Sequence, residues 1–206
     1  MLPLFRSIGR AIKLRPVPGC LTNLWLSIRW NAAVSPRARV SRPWLLRLGR
    51  GAQLGACTIE CSGKGVDIGV DAYVHDDVLI DCQLGSIEIG ARTTINSFSA
   101  LYGAGGIRIG AGCLIATSTV IVASEHRFDL PGIPIQQQGS ITAGIDIGDD
   151  VWLAAGVRVL DGIAIGQGAV VGANAVVNRT IPAFAVAAGI PARVIKMRPG
   201  FDERKG

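Results

Sequence analysis

The chain has 206 residues, 49% of them hydrophobic and 5% aromatic, with 27 glycines. That is one domain's worth of sequence with ample apolar material for a core, which excludes intrinsic disorder and a collagen-like rod. The formal net charge of +6 is unevenly spread: residues 1–50 hold ten Arg and Lys and no acid, while residues 51–206 carry eleven bases and fifteen acids, a net of −4.

Residues 1–45 read as a basic, partly helical segment broken by Pro16, Pro18 and Pro36. Arg6, Arg10, Lys13 and Arg15 alternate with Leu2, Leu4, Phe5, Ile8, Ile12 and Leu14, a short basic amphipathic pattern suited to an anionic membrane face. Trp25, Trp30 and Trp44 follow among further arginines and suit the headgroup level. The same residues also fit a helical cap with a solvated basic face. No nucleic-acid recognition motif accompanies the charge, so no nucleic-acid partner is expected. The apolar run at 21–30 is broken by Thr22, Asn23, Ser27 and Arg29 and falls far short of the roughly 20 residues of a membrane-spanning helix. It has no signal-like cleavage site, and a cytoplasmic protein is the expectation. Cys20, Cys57, Cys61, Cys82 and Cys113 form no CxxC pair and read as small buried apolar residues.

From residue 46 to 182 the chain is periodic. Aliphatic residues recur every six positions: Ile68, Val74, Ile80; Ile89, Ile95, Leu101; Ile109, Ile115, Ile121; then Ile147, Leu153, Val159 and Ile165, Val171, Val177. Each group of three opens on an aliphatic-Gly pair, from Ile68-Gly69 to Ile165-Gly166. A six-residue step does not hold one face of a helix, so the pattern predicts a triangular coil of three short strands. In it the aliphatic side chain points inward, the following small residue takes the corner angles, and coils stack about 4.8 Å apart. Leu48 to Ile59 carries a weaker copy, which suggests an earlier coil. Residues 183–206 read as a tail.

The period breaks once. Twenty residues, 127–146, intervene before Ile147, directly after Ser124-Glu125-His126. An insertion of that length in a regular solenoid points to function. His126 is one of two histidines, and its imidazole suits proton transfer near neutral pH, although a surface or structural histidine would also fit. Glu125 occupies a repeat position held elsewhere by Ala72, Val78, Ser99, Cys113, Thr119 and Val151, so the chain either deviates there or buries a carboxylate.

Three stretches then carry a resemblance: Glu125-His126-Arg127-Phe128-Asp129, Ile147-Gly148-Asp149-Asp150-Val151-Trp152, and Ala188-Gly189-Ile190-Pro191-Ala192-Arg193-Val194-Ile195-Lys196. In this order they resemble the sugar and xenobiotic O-acetyltransferase branch of the hexapeptide-repeat acyltransferases. The resemblance implies a left-handed parallel β-helix, with the handedness coming from it alone. It also implies a homotrimer with active sites between subunits, acetyl-CoA as co-substrate, and direct attack of an acceptor hydroxyl with His126 as general base. On the acceptor side it implies Asn96, with Glu125 and Asp129 at the start of the loop. Asn96 also fits a corner role, because Asn tolerates left-handed backbone angles. For the cofactor it implies Trp152 over the pantetheine arm, Ala155 and Ala173 as backbone contacts, and Asn178, Arg179, Arg193 and Lys196 near the phosphates. Asn178-Arg179-Thr180 stands where Thr-Lys-Asp is commoner in this group, so a hydroxyl contact is lost and a basic one kept.

No metal is expected: the zinc-dependent γ-class carbonic anhydrase built on the same helix needs three histidines, and only His75 and His126 exist. His75 reads as a surface or corner residue. The favoured acceptor is a sugar hydroxyl of a polysaccharide or lipid-linked glycan precursor, which would place the enzyme at the inner membrane face. A free small molecule (a simple sugar, amino sugar or antibiotic) and a non-catalytic β-helical scaffold are the alternatives.

Overall fold

The computed structural model describes residues 19–200, which wind into a parallel β-solenoid whose three sheets hold nine, seven and six strands. Each of the first six coils gives one short strand to each sheet. In the first coil these are Ala33–Val34, Arg39–Ser41 and Leu46–Leu48; in the fifth they are Leu114–Ile115, Val120–Val122 and Ile145–Ile147. The register pairs equivalent residues of successive coils, so Ile80, Leu101 and Ile121 stand in one column. All fifteen aliphatic positions of the repeat are buried. Each buried side chain of this kind contributes roughly 1.5–3 kcal/mol, offset by the entropy of ordering the chain.

The corners differ from expectation. Left-handed backbone falls three residues after the aliphatic position, at Asp71, Arg92, Gly112 and Asp150, and not at the residue directly after it. Gly69, Gly90 and Gly110 are there for space. A Cβ on Gly69 would lie 2.6 Å from the Ala91 amide nitrogen and 2.7 Å from the Gly90 carbonyl carbon, backbone atoms of the next coil.

The solenoid also begins earlier than residue 46, because Ala33–Val34 and Arg39–Ser41 already pair with Gln53–Leu54 and Thr58–Glu60. Val34, Val40 and Leu46 do keep the six-residue step. At the other end, residues 183–206 are not wholly a tail. Ala185–Ala188 extends the first sheet into an eighth coil, and Arg193–Met197 folds back on it antiparallel.

The helix Gly19–Trp30 packs against the first two strands of coil 1. Leu26 is fully buried there, and the buried Asn23 donates from Nδ2 to the carbonyls of Ser35 and Ala38, both at 2.9 Å. Those carbonyls belong to the end coil, which no other coil precedes among the described residues, so this helix is a cap. The basic pattern from Arg6 to Arg15 lies outside the described residues.

Cys57, Cys61, Cys82 and Cys113 are buried and Cys20 is exposed, all as free thiols. Loss of solvation pushes the Cys57 and Cys61 thiols up to about 12, which leaves them inert. The outer face of the third sheet is a charged column of Arg47, Asp67, Glu88, Arg108 and Asp146, with Arg47–Asp67 and Arg108–Asp146 paired.

Candidate active site

Coil 5 leaves the solenoid at the corner between its second and third strands. Glu125–His126 and Ser140–Ile141 pair antiparallel, Glu125 opposite Ile141 and His126 opposite Ser140. His126 therefore stands in the stem of the loop and not ahead of it, and the chain has rejoined the third sheet by Ile145. Of the two expectations for Glu125, the structure takes deviation, since its side chain is exposed.

Polar side chains hold the loop in shape. Gln138 bridges it, with Oε1 accepting from the Leu130 amide at 3.0 Å and Nε2 donating to the carbonyls of Leu130 (3.0 Å) and Ile133 (2.7 Å). Asp161, one coil on, accepts from the amides of Ala143 (2.7 Å) and Gly144 (2.9 Å) and so seats the returning strand.

His126 is exposed, with Nδ1 3.2 Å from the hydroxyl oxygen of Ser140. With Nδ1 engaged, Nε2 is the nitrogen left to exchange a proton. Glu125, His126, Arg127, Phe128, Asp129 and Ile141 line one open concavity of about 310 Å³. The three loop residues expected at the site, Glu125, His126 and Asp129, are thus brought together. Ser140 was missed, because its partnership with His126 depends on the register of a hairpin whose length no repeat dictates.

Asn96 is not part of this concavity. It follows Ile95 at the corner between first and second strands, a different edge of the triangular prism. It is not the left-handed residue of its corner, which is Phe98, and its Nδ2 donates to the Ile115 carbonyl at 3.0 Å. His75 holds the equivalent corner one coil earlier, stacked on Tyr73 with ring centroids 3.9 Å apart.

The cofactor positions divide in the same way. Trp152 projects from the first sheet between Leu114 and Val170, and Ala155 and Ala173 stack at the corner that follows, joined by the Asn174 amide donating to the Ala155 carbonyl. Asn178 and Arg179 follow Val176–Val177 at the edge that carries His126, two coils further on. Arg193 approaches Asn178 Oδ1 at 3.5 Å, and Lys196 lies exposed on the same closing strand.

Residues 144–179 match the family model described as bacterial transferase hexapeptide (six repeats). A probable acetyltransferase of Mycobacterium tuberculosis, Rv3034c, is 32% identical over 181 residues, covering 88% of this chain and 58% of that protein. WcaF of Escherichia coli strain K12, a putative colanic acid biosynthesis acetyltransferase, is 32% identical over 168 residues, 82% of this chain and 67% of WcaF. The chain belongs to the hexapeptide-repeat acyltransferase family. This hexapeptide-repeat protein spans less than two thirds of the mycobacterial relative's length. Its fold is shared with the polySia-specific acetyltransferase NeuO, at a TM-score of 0.62 and 22% identity over 81% of this chain and 72% of that one. A hexapeptide-repeat acetyltransferase of Vibrio cholerae complexed with acetyl-CoA superimposes at a TM-score of 0.55, with 24% identity over 87% and 86% of the two chains.

Proposed function

We propose that the chain transfers an acetyl group from acetyl-CoA to a sugar hydroxyl of a polysaccharide or glycan precursor, with His126 as general base. The observation that carries this is the placement of His126: solvent-facing, at the stem of the one long loop, with Nδ1 engaged by Ser140. In this reading Nδ1–H donates to the Ser140 oxygen, and the Nε2 lone pair accepts the acceptor's proton as its oxygen attacks the thioester carbonyl. The C–S bond then breaks, and the CoA sulfur leaves with the proton that Nε2 returns, so no acyl-enzyme is formed. A sugar acceptor and acetyl-CoA are supported by the naming of WcaF and NeuO and by the acetyl-CoA bound to the Vibrio cholerae protein.

The working unit in this reading is a homotrimer. The edge with Asn96, Ala155 and Ala173 and the edge with His126 and Arg179 flank the second sheet, so a single chain cannot close them on one acceptor. Midway along that sheet the outward residues are Leu79, Asp81, Ala100, Tyr102, Val120 and Val122, all partly exposed and all but Asp81 uncharged. Phe128, Leu130, Ile133 and Ile135 are exposed on the loop. Three copies with their second sheets toward a threefold axis set one subunit's Asn96 edge beside the next one's His126 edge and cover these apolar groups. Trp152 then roofs the pantetheine, while Arg179, Arg193 and Lys196 meet the CoA phosphates.

The test is CoA release from acetyl-CoA across a panel of sugars, nucleotide sugars, oligosaccharides and free small-molecule acceptors. His126→Ala is expected to lower kcat by roughly 10²–10⁴ on the true acceptor, the usual range for loss of a general base. Wild-type turnover by that variant would show that another group takes the proton.

A further inference from the structure

The capping helix has two apolar faces. Asn23, Leu26 and Trp30 turn toward the solenoid, and directly opposite, at i, i+3, i+4 and i+7, stand Leu21, Leu24, Trp25 and Ile28. None of these four is covered: Ile28 is 74% exposed and the others about half. Trp44, on the same end coil, is 72% exposed. Around them the surface is basic. Residues 19–50 hold Arg29, Arg37, Arg39, Arg42, Arg47 and Arg50 and no acid, and among the described residues only Arg47 of these forms an ion pair. The Arg29 guanidinium lies 5.5 Å from the Trp25 ring centroid and 5.0 Å from that of Trp30, which holds a cation at the margin of the apolar stripe. Among the described residues no helix is long and apolar enough to cross a membrane.

We propose that this end of the solenoid is a peripheral docking surface for an anionic lipid bilayer. Leu21, Leu24, Trp25 and Ile28 enter the interfacial region while the arginines meet headgroup phosphates. An apolar stripe on a helix and end coil that carry cations and no acid of their own matches that surface in both terms, the nearest acids, such as Asp77 beside Arg37 and Arg39, belonging to the coils behind. A second copy would oppose like charge with like charge, and residues 1–18, with four bases and no acid, would do the same. The inference does not depend on the acetyl-transfer reading.

The experiment is flotation of the full-length protein with vesicles of phosphatidylcholine alone or with 30% phosphatidylglycerol. Wild type is expected to float with the anionic vesicles and stay behind with the neutral ones. Ile28→Glu, at a solvent-exposed position, is expected to keep its thermal midpoint and lose about tenfold or more of the partitioning, since it replaces an inserting apolar group with an acid. Arg37→Gln with Arg39→Gln is expected to weaken binding without touching the stripe. Absence of wild-type binding, equal binding to both vesicle types, or unchanged partitioning of a folded Ile28→Glu would each overturn the proposal. So would a drop in oligomeric mass for Ile28→Glu with binding retained, which would make the stripe a contact between copies.

Discussion

Gly69 stands where successive coils come closest. Gly69→Ala would force a Cβ to within 2.6 Å of the next coil's backbone, and neither strand can retreat without breaking its ladder. A loss of about 1–3 kcal/mol in urea-unfolding stability is expected, as for overpacking elsewhere. The same replacement at Gly132, where a Cβ meets nothing within 4 Å, is expected to change little. These glycines were visible in the sequence as the second member of each aliphatic-Gly pair, but their reason was not. The pattern shows that a small residue is required, whereas whether φ or space requires it depends on the neighbouring coil. The buried aliphatic ladder from Ile68 to Val177 was fully legible, because each position meets its own equivalent above and below. Ser140 was not, since nothing in a non-repeating insertion fixes which residue pairs with His126.

At the scale of elements, the loop is a preformed structure attached to a fold that does not need it. Its side chains from 125 to 143 are exposed apart from the half-buried Gln138, which bridges Leu130 and Ile133. Gln138→Ala removes three hydrogen bonds from the loop and none from the solenoid. Its thermal midpoint is expected to stay within about 2 °C of wild type, because the bonds lost lie wholly within the loop and leave the solenoid that melts cooperatively untouched. Acetyl transfer is expected to fall about tenfold, read as kcat/KM, as the His126 stem and acceptor contacts lose their fixed geometry. A large fall in midpoint with unchanged turnover would instead make Gln138 a fold residue. The insertion was plain in the sequence from the lost six-residue step. The first coil was hidden although Val34, Val40 and Leu46 keep that step, because Pro36 and the arginines around it read as the continuation of a basic arm.

For the whole molecule, the uneven charge resolves into separate surfaces. The basic end coil and helix form the proposed lipid face, the third sheet carries charges of both signs toward solvent, and the middle of the second sheet offers the mainly apolar face proposed for assembly. Fold and family follow from the repeat, but in the proposed reading the site does not close within one chain, since Asn96 and His126 occupy different edges of the prism. The most direct measurement is therefore complementation. Asn96→Ala and His126→Ala are each expected to be nearly inactive, and an equal mixture reassembled from unfolded subunits should regain about a quarter of wild-type acetyl transfer. In that mixture about three quarters of the trimers contain both chains, each with one of its three sites intact. A mixture no more active than its inactive parents would contradict a site built from two copies.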